Sequence, residues 1–171
     1  YINDYVLDRQ EYPMPYFLGY IFNSYYNLNL ITTLIEEVFK DPYDSKILSL
    51  YDGTKSGEAI NNELTTKVPL LFTEDYIANY NTDEKYSSIK LALQDNSIEA
   101  WKTTTPTLLL HGSEDTFVPP MVTNKIYQDF LLEGVGADEV LMVPLQGETH
   151  QSGILKAGVA QITFFLGIKD A

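Results

Sequence analysis

The sequence predicts an α/β fold, with a few parallel strands and flanking helices over residues 86–171, preceded by a mainly helical region over residues 1–85. Three observations predict it. Two short apolar runs, Thr105–Leu110 and Val140–Val143, have strand length and turn-forming borders. Between them, Met121–Leu132 places Val122, Ile126, Phe130 and Leu131 on one helical stripe. The first half of the chain carries apolar side chains at helical rather than alternating spacing.

Residues 1–12 form a polar-aromatic segment without a clear period. Pro13 and Pro15 make a turn, and Pro15 suits the first turn of a helix, where a missing N–H does no harm. Phe17, Leu18, Ile21, Phe22 and Tyr25 then share one helical face, weakened at Asn27 and Asn29. Ile31, Leu34, Ile35, Val38 and Phe39 carry the best amphipathic spacing, which Asp41-Pro42 ends. Residues 43–67 read as short helices and turns, with Gly53 and Gly57 flanking an exposed loop. For residues 68–80 a strand at Leu70–Phe72 competes with a helix from Thr73. The helix is favoured, because Thr73 followed by Glu74 and Asp75 is an amino-terminal cap with acidic residues beside it. Tyr86, Ile89, Ala92 and Leu93 mark another helix, stopped near Asn96, and Trp101 leads into the first strand. Gly134 and Gly136 end the helix between the strands. Residues 152–167 form a last helix, with Ile154, Ala157, Gly158, Ile162 and Phe165 expected inward.

Composition narrows the function. A net charge of −13 argues against non-specific nucleic-acid binding. The absence of cysteine removes disulfides, thiolate nucleophiles and thiolate metal ligands. The two histidines show no H-x-x-x-H or H-E-x-x-H spacing, so neither a metal nor another cofactor is expected. No secretory-signal pattern or transmembrane run occurs, which leaves the compartment open. The aromatic residues at 16, 17, 20, 22, 25 and 26 suit helix packing, an apolar substrate funnel, or both.

The chemistry lies at the strand ends. Two strands joined by a helix most simply run parallel, so their carboxyl ends share one edge. Gly112-Ser113-Glu114-Asp115 follows one end and His150 follows the other, and this edge is where open α/β sheets place their ligands. Asp115 and His150, thirty-five residues apart, can therefore meet. Alone, either residue reads as a turn-former or a surface group. Together they read as a carboxylate that orients an imidazole, an acid–base pair that lacks only a nucleophile. Glu114 is the rival acid, expected to face water, and His111, at a strand end, is expected to be structural or to support the site from behind rather than to be catalytic.

The run PTLLLHGSEDTFVPP, followed by a strand and GETH, resembles the carboxyl-terminal part of an α/β-hydrolase. DPYDSKILSLYDG and LALQDNSIEAWKTTTPTLLLHG add a looser resemblance to bacterial secretory-lipase-like esterases, with a helical cap ahead of the final strands. The resemblance implies residues 1–85 as cap or lid and 86–171 as the carboxyl-terminal core segment. It implies Asp115 as the triad acid and His150 as the base, since such enzymes run nucleophile, acid, histidine in chain order. It also implies a small-molecule ester or lipid substrate and a secreted or cell-envelope location.

The same resemblance requires a serine in a G-x-S-x-G turn, and none of the serines at 24, 45, 49, 56, 87, 88, 97, 113 and 152 has that setting. The expectation is a lipase or carboxylesterase, or as nearest variant a serine peptidase. Its nucleophile would come from a missing amino-terminal half or from another chain that completes the sheet, and the 171 residues alone would be inactive. The rival expectation is a non-catalytic, hydrolase-derived binding or assembly module. Either way an unpaired strand edge favours a companion chain or a homo-oligomer.

Overall fold

The computed structural model describes residues 2–169, and it places helices before the sheet as the apolar spacings require. Tyr1, at the head of the amino-terminal segment, lies outside the described residues, as do residues 170 and 171. Two units divide between Ser97 and Ile98, later than the boundary expected near residue 85.

In the first unit, α1 (Ile2–Leu7) is followed by α2 (Pro15–Asn27), which begins at the expected proline. Asn29 ends α2 by adopting φ +56°, so that the Leu30 N–H reaches back to the Tyr25 carbonyl at 2.9 Å. The amphipathic run at 31–39 is not a long helix. Only α3 (Ile35–Val38) is helical, and Leu34 stays half-exposed. Tertiary pairing overrides the spacing here, because Phe39 forms a bridge with Phe72 and the Lys40 N–H donates to the Leu71 carbonyl at 3.0 Å.

Next come α4 (Tyr43–Leu50) and α5 (Gly57–Glu63), the latter capped by Ser56 Oγ, which accepts the Ala59 N–H at 3.2 Å. Residues 52–56 between them are exposed, as expected of a loop. Both alternatives at 68–80 are partly realised: α6 (Val68–Leu71) is one helical turn, Phe72 is extended, and α7 (Glu74–Asn79) starts from Thr73, whose hydroxyl accepts the Tyr76 N–H at 3.1 Å. A 3₁₀ turn (Glu84–Tyr86) leads into α8 (Ser87–Asp95). Ile89 and Ala92 of α8 are buried in the core of the preceding helices, which is why the division falls after α8.

That core is aromatic. Phe22 meets Phe39, Phe39 meets Phe72, and Phe72 meets Tyr76, with ring centroids 5.2, 5.2 and 5.4 Å apart. Of the candidate funnel residues, Phe22 is buried, Tyr25 borders an apolar cavity of about 50 Å³ with Leu18 and Leu93, and Tyr20 is 57% exposed. Tyr86 is fully buried, and its hydroxyl donates to Asp75 Oδ2 at 2.6 Å. Lys85 pairs with the same carboxylate. The hydrogen bond from Lys85, and then those from Tyr86 and Asn79, hold Asp75 down to about 2.

In the second unit, β1 (Thr107–Gly112), α9 (Pro120–Leu132) and β2 (Val140–Leu145) form the predicted strand–helix–strand, and α10 (Gly153–Lys169) follows. The strands are parallel, with Thr107 opposite Val140 and Gly112 opposite Leu145. Both run two residues beyond their expected ends. Pro144 lies within β2, where a residue without an N–H is tolerated because, among the described residues, β2 has no second neighbour. Phe130, Val135 and Val140 form a small core with Ile126, Leu131 and Leu109. Gly134, at φ +83°, ends α9, and the Val135 N–H returns to the Phe130 carbonyl at 3.1 Å; Gly136 takes no such role, its N–H donating to Glu139 Oε2 instead.

The expectation for the last helix needs correction. Ile154, Ile162 and Phe165 are exposed rather than inward, as are Leu155 and Val159. The described sheet has only two strands, too narrow to cover an apolar helix of this length. No helix among the described residues is long and apolar enough to cross a membrane.

Two predictions follow from this packing. Asp75 ionises more readily folded than unfolded, so its contribution is complete above its ordinary value of 3.8 and is lost as pH falls toward about 2. Asp75→Asn should lower stability at neutral pH and flatten the acid limb of a denaturant-midpoint titration, the two proteins converging near pH 2. A Cβ on Gly112 would stand 2.3 Å from the Glu148 carbonyl oxygen. Gly112→Ala should therefore destabilise the second unit by about 1–3 kcal/mol, read as a lower denaturation midpoint.

Candidate active site

The site is built where the two strands end. The Ser113 N–H donates to the Leu145 carbonyl at 3.0 Å and continues the ladder by one bond beyond Gly112. The Glu114 N–H then donates to the Glu148 carbonyl at 2.9 Å, and the Gly147 N–H donates to Ser113 Oγ at 2.9 Å. Three bonds thus lace the loop after β1 to the loop after β2. They close so tightly that only glycine fits at 112, while Gly147 makes the return at φ +71°.

His150 sits in the turn between β2 and α10. Thr149 and Ser152 clamp that turn reciprocally: the Thr149 N–H donates to Ser152 Oγ at 2.9 Å, and the Ser152 N–H donates to Thr149 Oγ1 at 3.2 Å. Glu148 pairs with Lys156 one turn into α10, and that bond, with one to Ser152, lowers the Glu148 carboxyl below its ordinary value. The histidine therefore leaves a braced loop rather than a free one.

Asp115 and His150 meet. His150 Nδ1 lies 2.8 Å from Asp115 Oδ2. The Asp115 side chain is 5% exposed and that of His150 46%, so the carboxylate is enclosed while the imidazole keeps one edge open. The other carboxylate oxygen, Oδ1, accepts the N–H groups of Phe117 and Val118 at 2.9 and 3.0 Å. Burial is the largest single influence on Asp115 and pushes its carboxyl up. The hydrogen bonds from Val118, His150 and Phe117 together outweigh it, so the group lies below its ordinary value and stays ionised at neutral pH. An ionised carboxylate accepts only, so His150 donates from Nδ1, and in the neutral ring Nε2 carries the lone pair. The Phe117 ring lies 5.3 Å from the imidazole and limits its tilt.

Glu114, the rival acid, is exposed, and only its backbone joins the lacing. His111 is more involved than its sequence position showed: it is nearly buried, and its Nε2 lies 3.4 Å from Asp115 Oδ2. Sequence reasoning did not find Ser113, Phe117, Thr149 and Ser152 as bracing groups. Only their closeness along the chain to Asp115 and His150 offered a signal.

No protein-family model matches the sequence, and no curated protein matches it. Solved structures do. A candidate hydrolase from Legionella pneumophila superposes with a TM-score of 0.80 at 21% identity, over 96% of this chain and 44% of that one. The rice cell wall degrading esterase LipA from Xanthomonas oryzae gives a TM-score of 0.64 at 20% identity, over 90% of this chain and 40% of that one. A single-residue variant of the same esterase gives 0.65 at 19% identity, over 92% and 42%. The chain thus spans less than half the length of the hydrolases it resembles. Its fold is the carboxyl-terminal portion of an α/β-hydrolase fold.

Proposed function

We propose that this chain supplies the acid and the base of a serine ester hydrolase, with Asp115 as acid and His150 as base. The observation that carries the proposal is the 2.8 Å contact between a buried, ionised carboxylate and an imidazole with an open edge, at the carboxyl ends of adjacent parallel strands. Nδ1 is held, so Nε2 is free to work. In acyl transfer, His150 Nε2 takes the proton of a serine hydroxyl as the serine oxygen bonds the ester carbonyl carbon. The same proton then goes to the leaving alcohol as the acyl–oxygen bond breaks. Water, deprotonated by Nε2 in turn, releases the acid and restores the serine. Asp115 stabilises the imidazolium in each half-reaction without taking the proton.

The nucleophile comes, on this proposal, from polypeptide outside these 171 residues. The serines nearest the pair in sequence are engaged with backbone: Ser113 Oγ accepts from Gly147, and Ser152 Oγ accepts from Thr149. The esterase among the similar structures, together with the apolar, aromatic helical unit, supports a lipase or carboxylesterase over a peptidase. The substrate is then a small-molecule ester or lipid. The completing polypeptide would also cover the apolar residues of α10 and the free edge of β1.

The 171-residue chain alone should not be labelled by a fluorophosphonate probe, because neither imidazole nor carboxylate replaces an activated serine; labelling would place a nucleophile within it. In the hydrolase that includes the nucleophile-bearing segment, His150→Ala should lower kcat for ester cleavage by roughly 10⁴–10⁶-fold. Near-normal turnover by that variant would remove His150 from the chemistry.

A further inference from the structure

The chain has two histidines, and both face the same carboxylate oxygen. His150 approaches Asp115 Oδ2 from the exposed side. His111, the penultimate residue of β1, approaches it from within, its side chain only 11% exposed. His111 Nε2 lies 2.9 Å from the Val118 carbonyl oxygen and 3.4 Å from Asp115 Oδ2, and Nδ1 lies 2.6 Å from Thr123 Oγ1 on α9. A carbonyl has no proton to give, so Nε2 must carry one and donate it. The neutral ring then accepts the Thr123 hydroxyl at Nδ1. Both ring nitrogens are used, and the ring spans the end of β1, the acid turn and the start of α9.

The consequence falls on Val118. Its N–H is held by Asp115 Oδ1 and its carbonyl by His111 Nε2. Val118 is thereby gripped on both sides, and the turn that supplies two N–H groups to Oδ1 cannot rotate away. We propose that His111 is a positioning residue for Asp115: through Val118, and through its own N–H beside Oδ2, it sets the plane in which the carboxylate meets His150 Nδ1. The inference rests on the assignment of Asp115 and His150 as acid and base. It adds a third polar member to the pair, outside the acid–base chemistry and required for its geometry.

The test uses the full chain labelled with ¹⁵N-histidine, whose two imidazoles are resolved by two-bond ¹H–¹⁵N correlation at neutral pH. In the unmodified chain, His111 should appear as the Nε2–H tautomer and His150 as the Nδ1–H tautomer. His111→Phe keeps the ring and removes both polar contacts. With folding verified by circular dichroism, His150 should lose its uniform Nδ1–H state and drift toward the tautomer mixture of a free imidazole. His111→Gln, which restores an N–H near the Nε2 position, should recover the Nδ1–H state. A stability effect alone would not move the His150 tautomer in a folded variant. A folded His111→Phe chain with unchanged His150 would overturn the positioning role and leave the acid–base pair standing. A His150 without the Nδ1–H tautomer in the unmodified chain would instead overturn the pair itself. If His111→Phe does not fold, the unmodified chain and the Gln variant decide. Nδ1–H at His111, or an unrecovered His150 in a folded His111→Gln chain, would overturn the proposal.

Discussion

The parallel pairing of β1 with β2 is the constraint on which the site depends. With Gly112 opposite Leu145, both chains leave the sheet at one level and on one edge. An antiparallel pair would send them to opposite edges, and no loop of the lengths found here would bring Asp115 to His150. The pairing also explains the lacing of the two exits. The Ser113 and Glu114 N–H groups meet the Leu145 and Glu148 carbonyls because the strands are still in register when they stop. The entropy of joining groups thirty-five residues apart is spent in forming the sheet, so the pair is already assembled in the folded chain.

Burial and hydrogen bonding then divide the labour between neighbouring carboxylates. Glu114 and Asp115 have the same chemistry and adjacent positions, but only Asp115 points inward. An enclosed carboxylate with no donors would take up a proton and lose its use as an acceptor. Asp115 avoids this because two backbone N–H groups hold Oδ1 and His150 holds Oδ2. The turn that creates the burial thus supplies the donors that keep the charge. Any change that opens the turn both hydrates the carboxylate and removes those donors.

Much of this was legible in the sequence, and the failures share a cause. The apolar runs around Leu108–Leu110 and Val140–Val143 showed the strands, and the stripe from Val122 to Leu131, ended at Gly134, showed the helix between them. The joint position of Asp115 and His150 at two strand ends was readable because topology alone brings them together. The run at 31–39 misled because spacing records which residues are apolar and not what they pack against: Ile31, Ile35, Val38 and Phe39 are all buried, but from a loop, one helical turn and a bridge to Phe72. The inward face assigned to α10 failed in the opposite way. Its apolar residues are present as predicted, but the described sheet is not wide enough to receive them. The contacts of His111 were not legible, because its partners, Val118 and Thr123, lie in a turn and on a helix whose approach to β1 is a tertiary fact.

The exposed surface of the second unit bears on the proposed function. Parallel sheets are ordinarily covered on both faces, yet Leu141 and Val143 of β2 are more than a third exposed. On α10, Ile154, Leu155, Val159, Ile162 and Phe165 share one broad helical face, and all five are exposed, the pattern of an apolar face without a covering layer among the described residues. On the proposed reading, His150 and Asp115 in the same unit also await a nucleophile. Under the proposed function one addition answers both deficits: further strands beside β1 would widen the sheet beneath α10, and a serine at the carboxyl end of one of them would arrive on the edge where His150 Nε2 is open. The geometry of the pair restricts where that serine can stand, because Asp115 fixes one edge of the imidazole and Phe117 lies against the ring. The imidazole is half exposed, and Nε2 is the ring nitrogen that Asp115 does not hold.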